Sequence, residues 1–190
     1  MELVRVQSNQ YGSNGYELNF RNQYRFNKKL TVSVNTSLEL FHNSLGYATI
    51  SSDSIIFSLR KRVTVENLFN VKYNFNNKMG LSFRARHYWS KVENQRFFNL
   101  TQDGGLTPIA GINRNVDFNV NYFNIDMVYT WQFALGSFVN VVWKNAIGTF
   151  DRNVGTGYFK NAGNTLEAPQ LNSLSLRVIY FLDYLSIKKK

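Results

Sequence analysis

Six stretches of this chain alternate apolar and polar residues over one common length. Tyr16–Phe26, Leu30–Leu40, Val65–Phe75, Met79–Trp89, Phe123–Phe133 and Leu174–Tyr184 each run eleven residues. Period-two alternation marks a strand with one apolar face and one polar face. The length narrows this further. Strands of soluble domains average about 5–6 residues, whereas a tilted strand crossing a bilayer needs about 9–11. The pattern predicts an all-β, antiparallel transmembrane β-barrel of about seven or eight meandering strands, in preference to a soluble β-sandwich.

The faces can be assigned strand by strand. Tyr16, Leu18, Phe20, Tyr24 and Phe26 share a side, with Asn22 the exception; so do Leu30, Val32, Val34, Leu38 and Leu40, broken only by Thr36. Val65, Phe69, Val71, Tyr73 and Phe75 return antiparallel to Met79, Leu81, Phe83, Ala85 and Trp89. Phe123 to Phe133 and Leu174 to Tyr184 alternate in the same way, and a shorter segment carries Val139, Val141 and Trp143. The expected strands are 16–26, 30–42, 55–75, 79–92, 116–133, 138–147 and 173–185, with Met1–Ser8 as the upper end of one more. Between them, Asn43–Asp53, Glu93–Asn115 and roughly 148–172 read as long loops, rich in Gly and Asn.

The remaining connections are short and alike. Tyr24-Arg25-Phe26-Asn27-Lys28-Lys29-Leu30 and Tyr73-Asn74-Phe75-Asn76-Asn77-Lys78-Met79 are near copies; Trp131-Gln132-Phe133-Ala134-Leu135-Gly136 is a looser one, and Tyr180-Phe181-Leu182-Asp183-Tyr184 resembles their first half. Outer-membrane barrels put short turns in the periplasm and long loops outside. The pairs Tyr24/Phe26, Tyr73/Phe75, Trp131/Phe133 and Tyr180/Tyr184 would then form the periplasmic aromatic girdle, where amphipathic rings favour the headgroup region. Trp89, Phe123, Tyr16 and Trp143 are the candidates for the outer girdle.

Composition removes competing readings. Mean hydropathy is −0.30, and no run of about 18 apolar residues exists, so no transmembrane helix is expected. There is no Cys, which excludes thiolate metal sites and Cys nucleophiles. The net charge of +10 suits anionic lipid or lipopolysaccharide; no recognition-helix pattern or stacking motif points to nucleic acid. His42 and His87 are the only histidines and lack HExxH or paired-carboxylate spacing, so His87 reads as an interfacial aromatic. Gln102-Asp103-Gly104-Gly105 has too few carboxylates for a calcium loop and reads as a turn. No nucleophile elbow, phosphate loop or dinucleotide fingerprint is present, so neither catalytic residues nor a cofactor is expected. The polar face offers Glu66, Lys72, Arg84, Arg86, Asp126, Lys144 and Arg177 as candidate lumen charges, with Asp183 near the end; Glu66 should lie opposite Tyr88 and diagonal to Arg86. Such charges either bind a solute or pair across strands to fill a polar interior.

Arg62–Phe69, Phe83–Ser90, Asn121–Trp131, and Asn172–Leu176 with Tyr180–Tyr184 resemble a family of Bacteroidota outer-membrane proteins. Its members join an N-terminal sugar-binding-like domain, of carbohydrate-binding-module family 9 type, to a large C-terminal β-barrel of unassigned function. The resemblance implies that residues 1–190 form one segment of a larger barrel in the outer membrane of a Gram-negative bacterium. The start Met1-Glu2-Leu3-Val4-Arg5-Val6 lacks a charged start and an apolar core of the export type. Its expected partners are therefore outer-membrane lipid and lipopolysaccharide, the missing N-terminal strands and domain, and a glycan ligand reached through that domain. Two other readings stand beside it: an outer-membrane hydrolase, with a site in long loops carrying Asp103 and Asp151 or in the missing domain, and a soluble β-sandwich or lipocalin-like binding module.

Overall fold

The structure, a computed structural model, describes residues 1–51 and 53–182. It is one antiparallel sheet with strands β1 (Glu2–Gln7), β2 (Asn14–Arg25), β3 (Leu30–Ser51), β4 (Ser54–Asn74), β5 (Met79–Leu100), β6 (Leu106–Ile109), β7 (Phe118–Ala134), β8 (Ser137–Asp151) and β9 (Gln170–Ile179). Among the described residues one α-helix, α1 (Tyr158–Glu167), lies between β8 and β9, and a 3-10 turn (Gln10–Gly12) joins β1 to β2. Neighbours in sequence are neighbours in the sheet, in the order β1-β2-β3-β4-β5-β7-β8-β9, with β6 folded back on the far end of β5. The sheet is open: among the described residues no pairing joins β9 to β1 or β2.

As far as Ile179 on the last strand, the period-two assignments agree with the register. Val34 pairs with Phe69, Phe69 with Ala85, Ala85 with Ile125, Ile125 with Asn145, and the apolar series of each strand follows in step. One face of the lower sheet is therefore mainly apolar, interrupted by Asn22, Asn145 and Asn172, and the other mainly polar. Among the described residues no second sheet packs on it, so neither face of its lower part is a protein core. Among the described residues the buried apolar side chains are Ile56, Leu59, Trp89, Val92, Phe98 and Ile147. None lies near the short turns, whereas Phe20, Val34, Phe69, Trp131, Leu174 and Leu176 stand exposed on the apolar face.

The long connections depart from the sequence reading. Asn43–Asp53 is no loop: β3 runs on to Ser51 and pairs with β4 from Ser54. Two β-bulges, between Phe41 and Ser44 and between Tyr47 and Thr49, each add a residue to β3. An added residue inverts which parity faces which side, so alternation is lost while pairing continues. Likewise β5 extends to Leu100 across a register shift beside Leu59 and Arg60, and β6 pairs with its tip; only part of Glu93–Asn115 is loop. The stretch 148–172 contains α1, and β8 extends to Asp151. Met1–Ser8 yields β1, which pairs with the upper half of β2 from Asn14 to Asn19. At the other end β9 stops at Ile179, and the expected strand beyond residue 182, with Asp183 and Tyr184, lies outside the described residues.

Candidate functional site

The short turns are built by asparagine. Asn27 Oδ1 accepts the backbone N–H of Lys29 at 2.8 Å and of Leu30 at 2.9 Å; Asn76 Oδ1 accepts that of Lys78 at 2.8 Å. A side-chain carbonyl that mimics a backbone turn explains why both copies begin with Asn. The third turn, Leu135-Gly136, uses a glycine instead. Gly136 has φ +69°, and a Cβ there would come within 2.8 Å of Phe181 Cβ. Above each turn the aromatic pairs meet: Tyr24 and Phe26 rings lie 4.7 Å apart, Tyr73 and Phe75 4.9 Å, and Trp131 and Phe133 5.9 Å. Tyr180 stacks on Phe133 at 6.2 Å. The described rim residues thus form an exposed aromatic edge along one end of the sheet.

Every candidate lumen charge among the described residues falls on the polar face. One row crosses the sheet as Gln23, Ser33, Asn70, Arg84, Asp126, Lys144 and Ser173. Within it Asn70 Nδ2 donates to Ser33 at 3.0 Å, Arg84 Nε donates to Asn70 Oδ1 at 3.0 Å, and Lys144 Nζ stands 3.8 Å from Asp126 Oδ1. A groove of about 840 Å³ runs over this row and the next, lined also by Thr31, Lys72 and Ser82. A second, of about 500 Å³, is lined by Arg21, Glu66 and Arg86 among others. Glu66 pairs with Tyr88, as expected, and sits diagonal to Arg86; no described ion pair joins them. Arg177 pairs with Asn140, nearer the turns. From the Asn19 row downward this face carries Arg21, Arg25, Lys72, Arg84, Arg86, Lys144 and Arg177 against Glu66 and Asp126. Cross-strand pairing therefore does not neutralise it, and the groove is cationic.

The upper part of the apolar face changes character. Its strands place Asn67, His87, Asn119, Asn121 and Asn145 where lower rows carry Val, Phe and Leu. Helix α1 lies on this patch. The Tyr158 hydroxyl accepts from Asn67 Nδ2 at 2.8 Å and lies 3.1 Å from His87 Nδ1, with the His87 and Tyr158 rings 5.5 Å apart. Asn119 is the hub. Its Oδ1 accepts from Trp89 Nε1 at 2.7 Å, and its Nδ2 donates to Asn161 Oδ1 at 2.7 Å and to the Asn153 carbonyl at 3.2 Å. Burial raises the Tyr158 pKa above the ordinary tyrosine value, partly opposed by the Asn67 hydrogen bond. Trp89 and His87 are thus buried beneath Tyr158 rather than standing as exposed outer-rim aromatics. Alternation alone could not reveal this, because the covering element comes from a stretch without periodicity.

The loop carboxylates serve local turns. Asp103 accepts from the Thr101 hydroxyl and the Gly105 N–H, which hold it below the usual carboxylate range. Asp151 Oδ1 accepts the Asn153 N–H at 3.0 Å. Among the described residues no three His, Cys, Asp or Glu side chains gather as a metal site.

Compared with known proteins, residues 1–190 match a family model described as "Domain of unknown function (DUF5916)" over the whole chain. No curated protein and no solved structure matches.

Proposed function

The chain belongs to this DUF5916 family, and we propose that it is a non-enzymatic wall segment of an outer-membrane β-barrel. One observation carries the reading: a single-layer antiparallel meander has one mainly apolar face and one mainly polar, grooved face over the same rows. In water such a layer would leave its apolar face exposed along every strand, a cost that only lipid or a second layer removes. In a bilayer the same sheet is satisfied, since alternating residues face lipid and lumen and the backbone pairs within the sheet. The aromatic rim at the short turns fits the periplasmic interface, which orients the long hairpins outward.

In this proposal the open edges of β1, β2 and β9 pair with further strands of a longer polypeptide, because lipid does not tolerate an unpaired sheet edge. That polypeptide is a Bacteroidota protein whose N-terminal sugar-binding-like domain gives the barrel its link to glycan binding or uptake. The cationic groove faces the lumen, with anionic solutes as its natural passengers. The test is partitioning. The longer polypeptide, refolded from denaturant with lipid vesicles, should float with them and resist carbonate extraction while showing a β-sheet circular dichroism spectrum. A monodisperse folded monomer in detergent-free buffer overturns the proposal.

A further inference from the structure

We propose that helix α1 is an interfacial anchor that meets the outer-leaflet headgroup region with an apolar flank formed by Phe159 and Leu166. The inference rests on the membrane reading above but concerns an element the strand pattern does not include. The polarity of the helix is inverted. An ordinary surface helix buries its apolar side and shows its polar side to water. Here Asn161 and Thr165 are the buried residues, hydrogen-bonded to Asn119 and to the Asn161 carbonyl respectively, and Tyr158 bridges Asn67 and His87. Phe159 is 87% exposed and Leu166 53% exposed. Seven residues apart, they lie on one flank of the helix, and Lys160, Asn164 and Glu167 lie on the other.

The position of the helix gives this flank its partner. On the apolar face of β5, Met79, Leu81, Phe83 and Ala85 are followed by His87 and Trp89, so the polar patch begins eight residues above the short turn. That is about 27 Å along a strand, or roughly 19 Å of depth at a 45° tilt, against an apolar band about 25 Å tall. The patch therefore falls where outer-leaflet acyl chains give way to headgroups. Bare amides and an imidazole there would face lipid unsatisfied. Helix α1 covers them with matching polar groups and presents aromatic and aliphatic carbon in their place, continuous with the band below. Lys160 beside that flank suits an anionic headgroup.

Residues 1–190 contain no Cys, so every label site within them is introduced. Single variants F159C, L166C, K160C and N164C, with V141C on the apolar face of β8 as the membrane control, are spin-labelled in the longer polypeptide, any Cys outside residues 1–190 being replaced by Ser. The polypeptide is refolded into phosphatidylglycerol-containing vesicles. Collision with molecular oxygen should exceed collision with a water-soluble nickel chelate at 159, 166 and 141, and the order should reverse at 160 and 164. Nickel-dominated collision at 159 and 166, with 141 still oxygen-dominated, overturns the anchor and leaves the membrane segment standing. Nickel-dominated collision at 141 overturns both.

Discussion

Asn27 and Asn76 do at the scale of one side chain what the hairpins need: each replaces backbone turn contacts with an amide oxygen. Asn27 accepts two backbone N–H groups and Asn76 one. Replacing Asn27 by Ala should cost about 1 kcal/mol, near the net worth of a few exposed hydrogen bonds, and Asn76→Ala less. Denaturant midpoints of the refolded chain would measure both. Gly136→Ala should cost more, about 1–2 kcal/mol, because the left-handed conformation penalises any Cβ and the Phe181 side chain crowds this one. Asp126→Asn should change stability by less than about 0.5 kcal/mol in the same titration. Its Lys144 partner stands 3.8 Å away and both side chains are substantially exposed. At this scale the sequence was readable wherever a residue acts locally. The repeated Phe-Asn-x-Lys announces its turn, and parity places Glu66 opposite Tyr88. It was silent where the partner is distant, as with Asn119, whose hydrogen bonds reach Trp89, Asn153 and Asn161.

Among the elements, α1 depends most on specific polar contacts. Tyr158→Phe removes the hydroxyl shared by Asn67 and His87 and should destabilise helix docking by about 1–3 kcal/mol, the cost of leaving buried polar groups unpaired. Amide exchange across 158–167 should accelerate while the β3–β4 strands keep their protection. A pH step follows from the same group. Tyr158 has a folded pKa above its ordinary value, so its contribution is fully present below about pH 10 and is lost as pH rises through the folded pKa. Exchange in α1 should therefore quicken in that alkaline range, and the Tyr158→Phe variant should lack the step. The strands were legible from alternation up to their first bulge. Beyond Phe41 on β3 and Asn94 on β5 the inserted residues reverse parity, which is why those two upper arms read as loops. The helix is only ten residues long, with no Glu, Asp or Ser at its start. Its polar side packs inward, so the usual helical signal of an apolar stripe facing a core is inverted.

For the whole molecule, two chemically opposite faces on one layer are what the proposed membrane setting rests on. The lipid-facing reading explains why so many large apolar side chains are exposed in the lower sheet, and why the few buried ones lie toward the long-loop end. It also assigns the excess of Lys and Arg on the grooved face to an aqueous path, in which anions would be favoured. A scan along β5 tests the membrane wall most directly. Single Cys residues placed in turn from Leu81 to Arg86 are spin-labelled in the vesicle-refolded longer polypeptide, and oxygen and nickel-chelate collision rates are read at each. Labels at 81, 83 and 85 should be oxygen-dominated and those at 82, 84 and 86 nickel-dominated, a strict period of two. Uniform nickel accessibility at all six positions would contradict the account.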